Sequence, residues 1–547
     1  MDGGRVYVGV HAGRVGDRGR IGDGHGVRRR CDRTGDGRCR ADPAQPGATA
    51  AGGADGKAAG AGDADDGARA MIRILLTGLA LLASATAANA APIAPQLGEA
   101  RVERLVAPDG RAMAVERGFL RVPERRDRAV PEGVIELAVM RLRWADAPSR
   151  IVNMVLAGGP GDSGTGLLSG LSAERAAALL DLMGGDVIAF DQRGSGRSRP
   201  SLGLPERTPL PLEAEGSPAL WLPVMADAAR ATARRFAASG VRLASYTSVE
   251  NADDVDAVRR AFGYATMHLW GRSYGSHLAL ATLRRHPDSV ARLILVSPEG
   301  PDHTYKLPAL TDAVIARIAE RAGVPELPAT MRTVIARLRR APVTVEVAGP
   351  DGVARRVTIG AFDVQWLTAQ ALGDPRTLAT LPAAYREMAA GDFRRMGEVA
   401  LAARSQWRLG SGMKYMMDLA SHASAGRLRR IEREARTALL GNAINFPLMG
   451  LRDAWAAVDL GAAYRKPVRS AVPTLILVGD IDARTPVENA REIARGLSHA
   501  HVVVVENAAH QFDLFGDPVL QPVLREFVAG RTVAIRRVRV REIGFQR

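Results

Sequence analysis

Ser273 stands in Gly271-Arg272-Ser273-Tyr274-Gly275, between an apolar run, Met267 to Trp270, and a helix-like stretch opening at Ser276. A serine displayed on a strand-to-helix turn between two glycines is set up to act as a nucleophile. The turn holds it in a strained backbone conformation, and strand and helix approach so closely that a Cβ at either glycine clashes. Such a serine needs a base within hydrogen-bond reach, and the base needs an acid that fixes its tautomer. An apolar strand ending at Val478 runs into Gly479-Asp480-Ile481-Asp482-Ala483-Arg484-Thr485-Pro486, and a last strand runs into Glu506-Asn507-Ala508-Ala509-His510. His510 is the expected base, because His277 and His286 fall on the helix after Ser273, and His499 and His501 flank the last strand. Asp480 and Asp482 are both available as the acid; Asp482, further into the loop, is preferred, and Asp480 is assigned to the turn itself.

Acyl transfer also needs donors for a developing oxyanion. The Tyr274 N–H, just after the nucleophile, is one. The other comes from Gly158-Gly159-Pro160-Gly161. Pro160 has no N–H, so Gly159 is expected, with Gly161 the fallback.

These loops must all follow the carboxyl ends of strands in one sheet. Strand-like stretches at Arg117 to Val122 and Val134 to Trp144 form an antiparallel opening pair. Ile151 to Leu156 leads into the GGPG run, Ser172 caps a helix through Met183, and Asp186 to Phe190 leads into Asp191-Gln192-Arg193-Gly194-Ser195-Gly196-Arg197-Ser198. Helices follow over Leu220 to Ala238 and Val249 to Phe262, and Leu293 to Val296 is the strand after the serine's helix. Alternating strands and helices specify an α/β fold with a mostly parallel sheet flanked by helices. Residues 301–467 read as mainly helical, with a hairpin around Val343 to Ile359, and sheet character resumes at Thr474 to Val478, with a helix over Pro486 to Leu497. His501 to Val505 is the last core strand, a helix lies near Pro518 to Val528, and Thr532 to Arg541 alternates like a half-exposed strand. The expected organisation is a core in two parts, 91–300 and 468–547, with a helical lid, 301–467, inserted after the strand that follows the serine's helix.

In this order the motifs GGPG, DQRGSGRS, GRSYG, GDIDARTP and the His510 loop resemble the prolyl iminopeptidase and tripeptidyl aminopeptidase family of α/β-hydrolases, over about Arg117 to Phe527 and outside most of the helical insertion. The resemblance implies a serine exopeptidase acting at a free peptide N-terminus, with the lid closing the pocket. Ala157 stands where many iminopeptidases carry His, a departure that bears on single-proline specificity. An aminopeptidase must hold the substrate ammonium with carboxylates, and Glu299 and Asp302, on the loop leaving the strand after the serine's helix, are the candidates. Asp191 and Arg193 are expected to brace their turn. An esterase on the same scaffold is the alternative; a silent binding protein is disfavoured by a complete set of catalytic residue types in the right order.

The chain has 547 residues, a formal net charge of +15 and 46% hydrophobic residues, enough for a large core. Basic residues are scattered without a nucleic-acid module, so no nucleic-acid partner is expected. Residues 1–70, rich in Gly, Arg, Asp and Ala, read as a disordered leader from a mis-assigned start. From Met71, a basic Arg73, an apolar run to Ala83 and Ala88-Asn89-Ala90 make a secretory signal peptide, 71–90. Export to a periplasm or exterior follows, with no stable membrane insertion. Cys31 and Cys39 both precede Met71, so no disulfide, metal or organic cofactor is implied for the mature chain.

Overall fold

The computed structural model describes residues 96–126 and 133–547; the leader, the signal peptide and both cysteines lie outside them. The strands of the main sheet are β1 (Gln96–Leu97), β2 (Arg101–Val106), β3 (Ala112–Pro123), β4 (Val134–Trp144), β5 (Val152–Leu156), β6 (Asp186–Phe190), β7 (Met267–Arg272), β8 (Val290–Val296), β9 (Thr474–Gly479), β10 (Ala500–Glu506) and β11 (Arg537–Arg539). They form an 11-stranded sheet in the order β1-β3-β4-β6-β5-β7-β8-β9-β10-β11, with β2 paired to β3. β3 and β4 are antiparallel, β4 runs antiparallel to β6, and every pairing from β6–β5 to β10–β11 is parallel.

Among the parallel strands, β6 (DVIAF) and β9 (TLILVG) read as near-continuous apolar runs because both faces are covered. Every residue of β6 and β9 is buried. Helices α1 (Ala173–Met183), α2 (Ser248–Ala261) and α3 (Tyr274–Arg285) precede the helical segment, α4 (Gly412–Ser421) lies within it, and α5 (Val487–Ala494) and α6 (Leu520–Val528) follow it. α1 begins at Ser172, whose hydroxyl accepts the Arg175 N–H, and ends on Gly184 at φ 61°, the left-handed conformation glycine adopts without strain.

β3 starts at Ala112 rather than Arg117. Its alternation is masked by Glu116, which is buried because Arg141 and Arg143 on β4 bind it at 2.6 and 2.7 Å. β2 was missed because it is a mostly exposed, charged strand, RVERLV, with no buried face to give a period. β11 is shorter than expected, since only Val504 to Glu506 pair with it.

Between β8 and β9 no described residue joins the main sheet. That segment holds helices Pro308–Ala322, Leu327–Arg340, Ala361–Ala371 and Ala425–Ala435 beside α4, among others. Its hairpin, Val343–Ala348 with Ala354–Ile359, lies where the sequence placed one. Trp221, on the helix Pro218–Ala238, packs edge-on against Phe362 and Trp366, with ring centroids 5.7 and 5.1 Å away. Arg404, fully buried, caps the carbonyls of Pro211, Leu212, Ala214 and Thr358 and pairs with Asp363. A strand-to-strand contact adds to this, with Gly410–Ser411 pairing with Gly203–Leu204.

Candidate active site

Ser273 sits at the junction of β7 and α3 with φ 53° and ψ −124°, a conformation that costs a residue with a side chain about 1–3 kcal/mol. Close packing forces it. A Cβ on Gly275 would lie 2.2 Å from the Leu156 carbonyl oxygen, and one on Gly271 2.4 Å from that of Gly275. The turn is held from beneath: the Ser273 N–H donates to Val296 O at 3.0 Å, and Ser276 Oγ donates to Ser273 O at 2.5 Å while accepting the Glu299 N–H at 2.8 Å.

Three loops bring the remaining groups to Ser273. His510, on the loop after β10, has Nε2 3.0 Å from Ser273 Oγ and Nδ1 3.0 and 3.1 Å from Asp482 Oδ2 and Oδ1. An ionised carboxylate only accepts, so Nδ1 carries the proton and Nε2 is left to accept from the serine hydroxyl. Asp482 is fully buried; its Oδ1 accepts the N–H groups of Arg484 (2.9 Å) and Thr485 (2.8 Å), and its Oδ2 accepts the Thr485 hydroxyl (2.8 Å). Burial by itself raises its carboxyl, but His510 and the Thr485 donors outweigh that and hold it below the ordinary aspartate value. Of the two carboxylates left open by the sequence, Asp482 meets His510. Asp480 turns the other way, with Arg321 at 2.6 Å on Oδ2 and Arg317 on its carbonyl.

Gly159, on the loop after β5, takes φ 102°; among the described residues neither its N–H nor that of Tyr274 has a protein acceptor. Both donors are therefore uncommitted. Gly161, the fallback, has φ 104° and faces Ser411, whose Oγ would be 3.0 Å from an added Cβ. The Tyr274 side chain is separately engaged, its hydroxyl 2.9 Å from Ser248 Oγ and its ring stacked on His277.

The Asp191 motif is what fixes the Gly159 loop. Gln192 Nε2 donates to Ala157 O at 3.0 Å, and Asp191 gathers Ser163 Oγ (2.7 Å), Thr165 N (2.9 Å) and Arg197 N (2.7 Å). Arg193, fully buried, forks onto Asp254 of α2 at 2.7 and 2.8 Å and ties down the Glu124 and Ser245 carbonyls.

The two acids picked out for an ammonium are already engaged. Glu299 pairs with Lys306 Nζ at 2.5 Å, and Asp302 accepts both the N–H and the hydroxyl of Ser424, the cap of the helix Ala425–Ala435. Burial raises the Glu299 carboxyl, and Lys306 and His277 more than offset that. Sequence reasoning passed over Asp418 of α4, a buried acid paired with Lys414 at 3.0 Å; burial raises its carboxyl, against Lys414, and Glu299 nearby raises it further. It also passed over Thr485, whose hydroxyl lies 3.2 Å from His510 Nδ1, and which the TP ending of GDIDARTP placed beside the acid.

Comparison with known proteins adds to this geometry. A stretch of 203 residues aligns at 30% identity with the tripeptidyl aminopeptidases of Streptomyces coelicolor and Streptomyces lividans, covering 34% of this chain and 36% of each relative. The match thus spans about a third of those relatives' length. Among solved structures, a proline iminopeptidase-related protein of Thermus thermophilus is 22% identical with a TM-score of 0.33, over 76% of this chain and 97% of that one. The proline iminopeptidase of Mycobacterium smegmatis is 16% identical with a TM-score of 0.33, over 73% and 97%. The family model described as alpha/beta hydrolase fold matches residues 154–517, from within β5 to the loop beyond His510, and the chain belongs to that family.

Proposed function

We propose that the chain is a serine hydrolase working through an acyl-enzyme on Ser273, and that it acts as an aminopeptidase on short peptides. The observation that carries this reading is the unbroken hydrogen-bond path Ser273 Oγ–His510 Nε2 and His510 Nδ1–Asp482, at 3.0 Å in each link. His510 takes the serine proton as Oγ attacks the substrate carbonyl. The N–H groups of Gly159 and Tyr274 receive the oxyanion, and each such donor is worth about 10²–10³ in rate. The imidazolium, stabilised by Asp482, then protonates the leaving group, and water repeats the sequence to release the acyl product. The helical segment between β8 and β9 serves as the lid, and the chain is exported after cleavage behind Ala90.

The peptidase assignment draws on the tripeptidyl aminopeptidase relatives over the third of their length that aligns. An esterase is the second reading, favoured by the engagement of Glu299 with Lys306 and of Asp302 with Ser424. A fluorophosphonate probe should label wild type and not Ser273→Ala; labelling elsewhere defeats the hydrolase reading. Aminoacyl p-nitroanilides with free and acylated N-termini then separate the two substrate classes, equal cleavage counting against an aminopeptidase. N-terminal sequencing of the native protein should begin after residue 90, and a mature chain retaining residues 2–70 would defeat the export reading.

A further inference from the structure

We infer that Arg272 and Ser297 are positioning residues for the base: they grip the loop of His510 by two backbone carbonyls and hold its imidazole in line with Ser273, an inference that rests on the serine-hydrolase reading above. Asp482 sets the tautomer of His510 and anchors one end of the ring. Where the other end lies depends on how the main chain at residue 510 is held. The loop between β10 and α6, residues 507–519, is neither helix nor strand. Two residues outside it take hold of it. Arg272, the last residue of β7 and the neighbour of Ser273, donates from Nη2 to Phe512 O at 2.9 Å, with its guanidinium carbon 5.2 Å from the centre of the Phe512 ring. Two residues back on the same face of β7, Trp270 packs on Phe515 of that loop, with ring centroids 5.9 Å apart. Ser297, the residue after β8, is fully buried and donates from Oγ to His510 O at 3.2 Å.

Neither residue is the one that packing alone would choose. Arg272 is half-buried and has no carboxylate within ion-pair distance among the described residues. Burial lowers its guanidinium below the ordinary value, and Asp513 and Asp482 restore only part of that. An apolar side chain would fill the place with no charge to desolvate. Ser297 takes φ 47°, the left-handed region disfavoured for a residue with a side chain, while its N–H donates to Leu477 O at 2.8 Å. Such strain collects where geometry serves a reaction. The two grips also share the nucleophile's support. Val296 O accepts the Ser273 N–H at 3.0 Å, Ser297 beside it holds His510, and Arg272 directly precedes Ser273. Nucleophile and base are thus mounted on the adjacent ends of β7 and β8, and this common mount sets the 3.0 Å between Ser273 Oγ and His510 Nε2.

The test uses the full mature chain and reads p-nitrophenyl acetate turnover, the second-order rate of fluorophosphonate labelling and the melting temperature. Displacing a reacting group by about 1 Å costs about 10²-fold in rate. Arg272→Met keeps an unbranched stem and loses the donor. In it, kcat per labelled site and the labelling rate should fall together about 10–100-fold, while KM changes less than about 3-fold. Its melting temperature should not drop, since a charge leaves a half-buried place. Arg272→Lys keeps a donor and should exceed Arg272→Met in kcat. Ser297→Ala should lower kcat at least about 10-fold, again with little change in KM. A kcat loss below about 10-fold in either Arg272→Met or Ser297→Ala overturns the inference, as does a loss that lies entirely in KM, or a Lys variant no better than Met. Turnover that survives Ser273→Ala instead overturns the hydrolase reading, so the two failures are distinguishable; if Arg272→Met does not fold, Ser297→Ala carries the same comparison.

Discussion

Replacing Asp482 by Asn should disable the base without disturbing the fold. The four donors around the carboxylate decide how. Arg484 N and Thr485 N point at Oδ1 and cannot reverse, so the Asn carbonyl must face them. The Asn NH₂ then occupies the Oδ2 side, where the Thr485 hydroxyl rotates to accept and His510 Nδ1 gives up its proton to become an acceptor. That tautomer puts the proton on Nε2, 3.0 Å from Ser273 Oγ, where it can no longer accept the serine proton. A wrong tautomer at an otherwise intact site costs about 10⁴ in kcat, or about 5.5 kcal/mol in the barrier. The assay is kcat on p-nitrophenyl acetate, with active sites counted by fluorophosphonate. Asp480→Asn is the internal control. It weakens the pair that the buried Asp480 makes with the partly exposed Arg321, and should leave kcat within about 3-fold. A comparable loss in both variants, or kcat above about a tenth of wild type in Asp482→Asn, refutes the reasoning.

The elbow glycines give a second measurement. Gly275→Ala would set a Cβ 2.2 Å from the Leu156 carbonyl oxygen and should destabilise by several kcal/mol or prevent soluble expression; Gly352→Ala, where no atom lies within 4 Å but φ is 74°, should cost about 1–2 kcal/mol in urea unfolding. Similar stabilities for the two would refute the close-approach argument. A third prediction concerns acid. Burial, helped by Arg292, holds His268 down to about 4 from 6.5, and burial holds His277 down to about 4 despite Glu299. Between those values the unfolded chain binds protons that the folded chain refuses, so stability falls as pH drops from 6.5 to 4. Each histidine adds a slope of about 1.4 kcal/mol per pH unit. Asp482, held below 3.8, adds its own loss only beneath that window. Urea titrations of His268→Leu should show the slope reduced by one histidine's share, and an unchanged slope refutes the assignment.

What could be read from the chain follows from how local each signal is. The buried strands were legible because parallel strands covered on both faces are apolar throughout, as in Thr474–Gly479. The positions of Ser273, His510 and the two aspartates were legible because each follows such a strand directly. Choosing between Asp480 and Asp482 rests on side-chain direction, which spacing only suggested. β2 was illegible because an exposed edge strand has no hydrophobic period. Glu299 and Asp302 were nominated by their loop, but their partners, Lys306 and Ser424, come from an adjacent turn and a distant helix cap. A carboxylate's availability is a property of its neighbours, and composition does not encode it.

The Asp191 motif shows the same division from the other side. It has no reacting atom, yet it decides whether Gly159 presents its N–H to the substrate. Gln192 reaches the Ala157 carbonyl, Asp191 gathers the turn from Ser163 to Thr165, and Arg193 locks to Asp254 inside the protein. Such a buried ion pair is costly to break, because the survivor is left charged and unpartnered. The rigidity thus gained is passed to the free Gly159 N–H, whose value lies in needing no reorganisation when charge develops. Ser273 strain and Arg193 burial are therefore linked: one loads the nucleophile in a disfavoured backbone state, and the other holds the opposing loop where that state is useful. The chemistry is carried by short loops after strands, while the geometry that makes it work is carried by contacts between segments far apart in the chain.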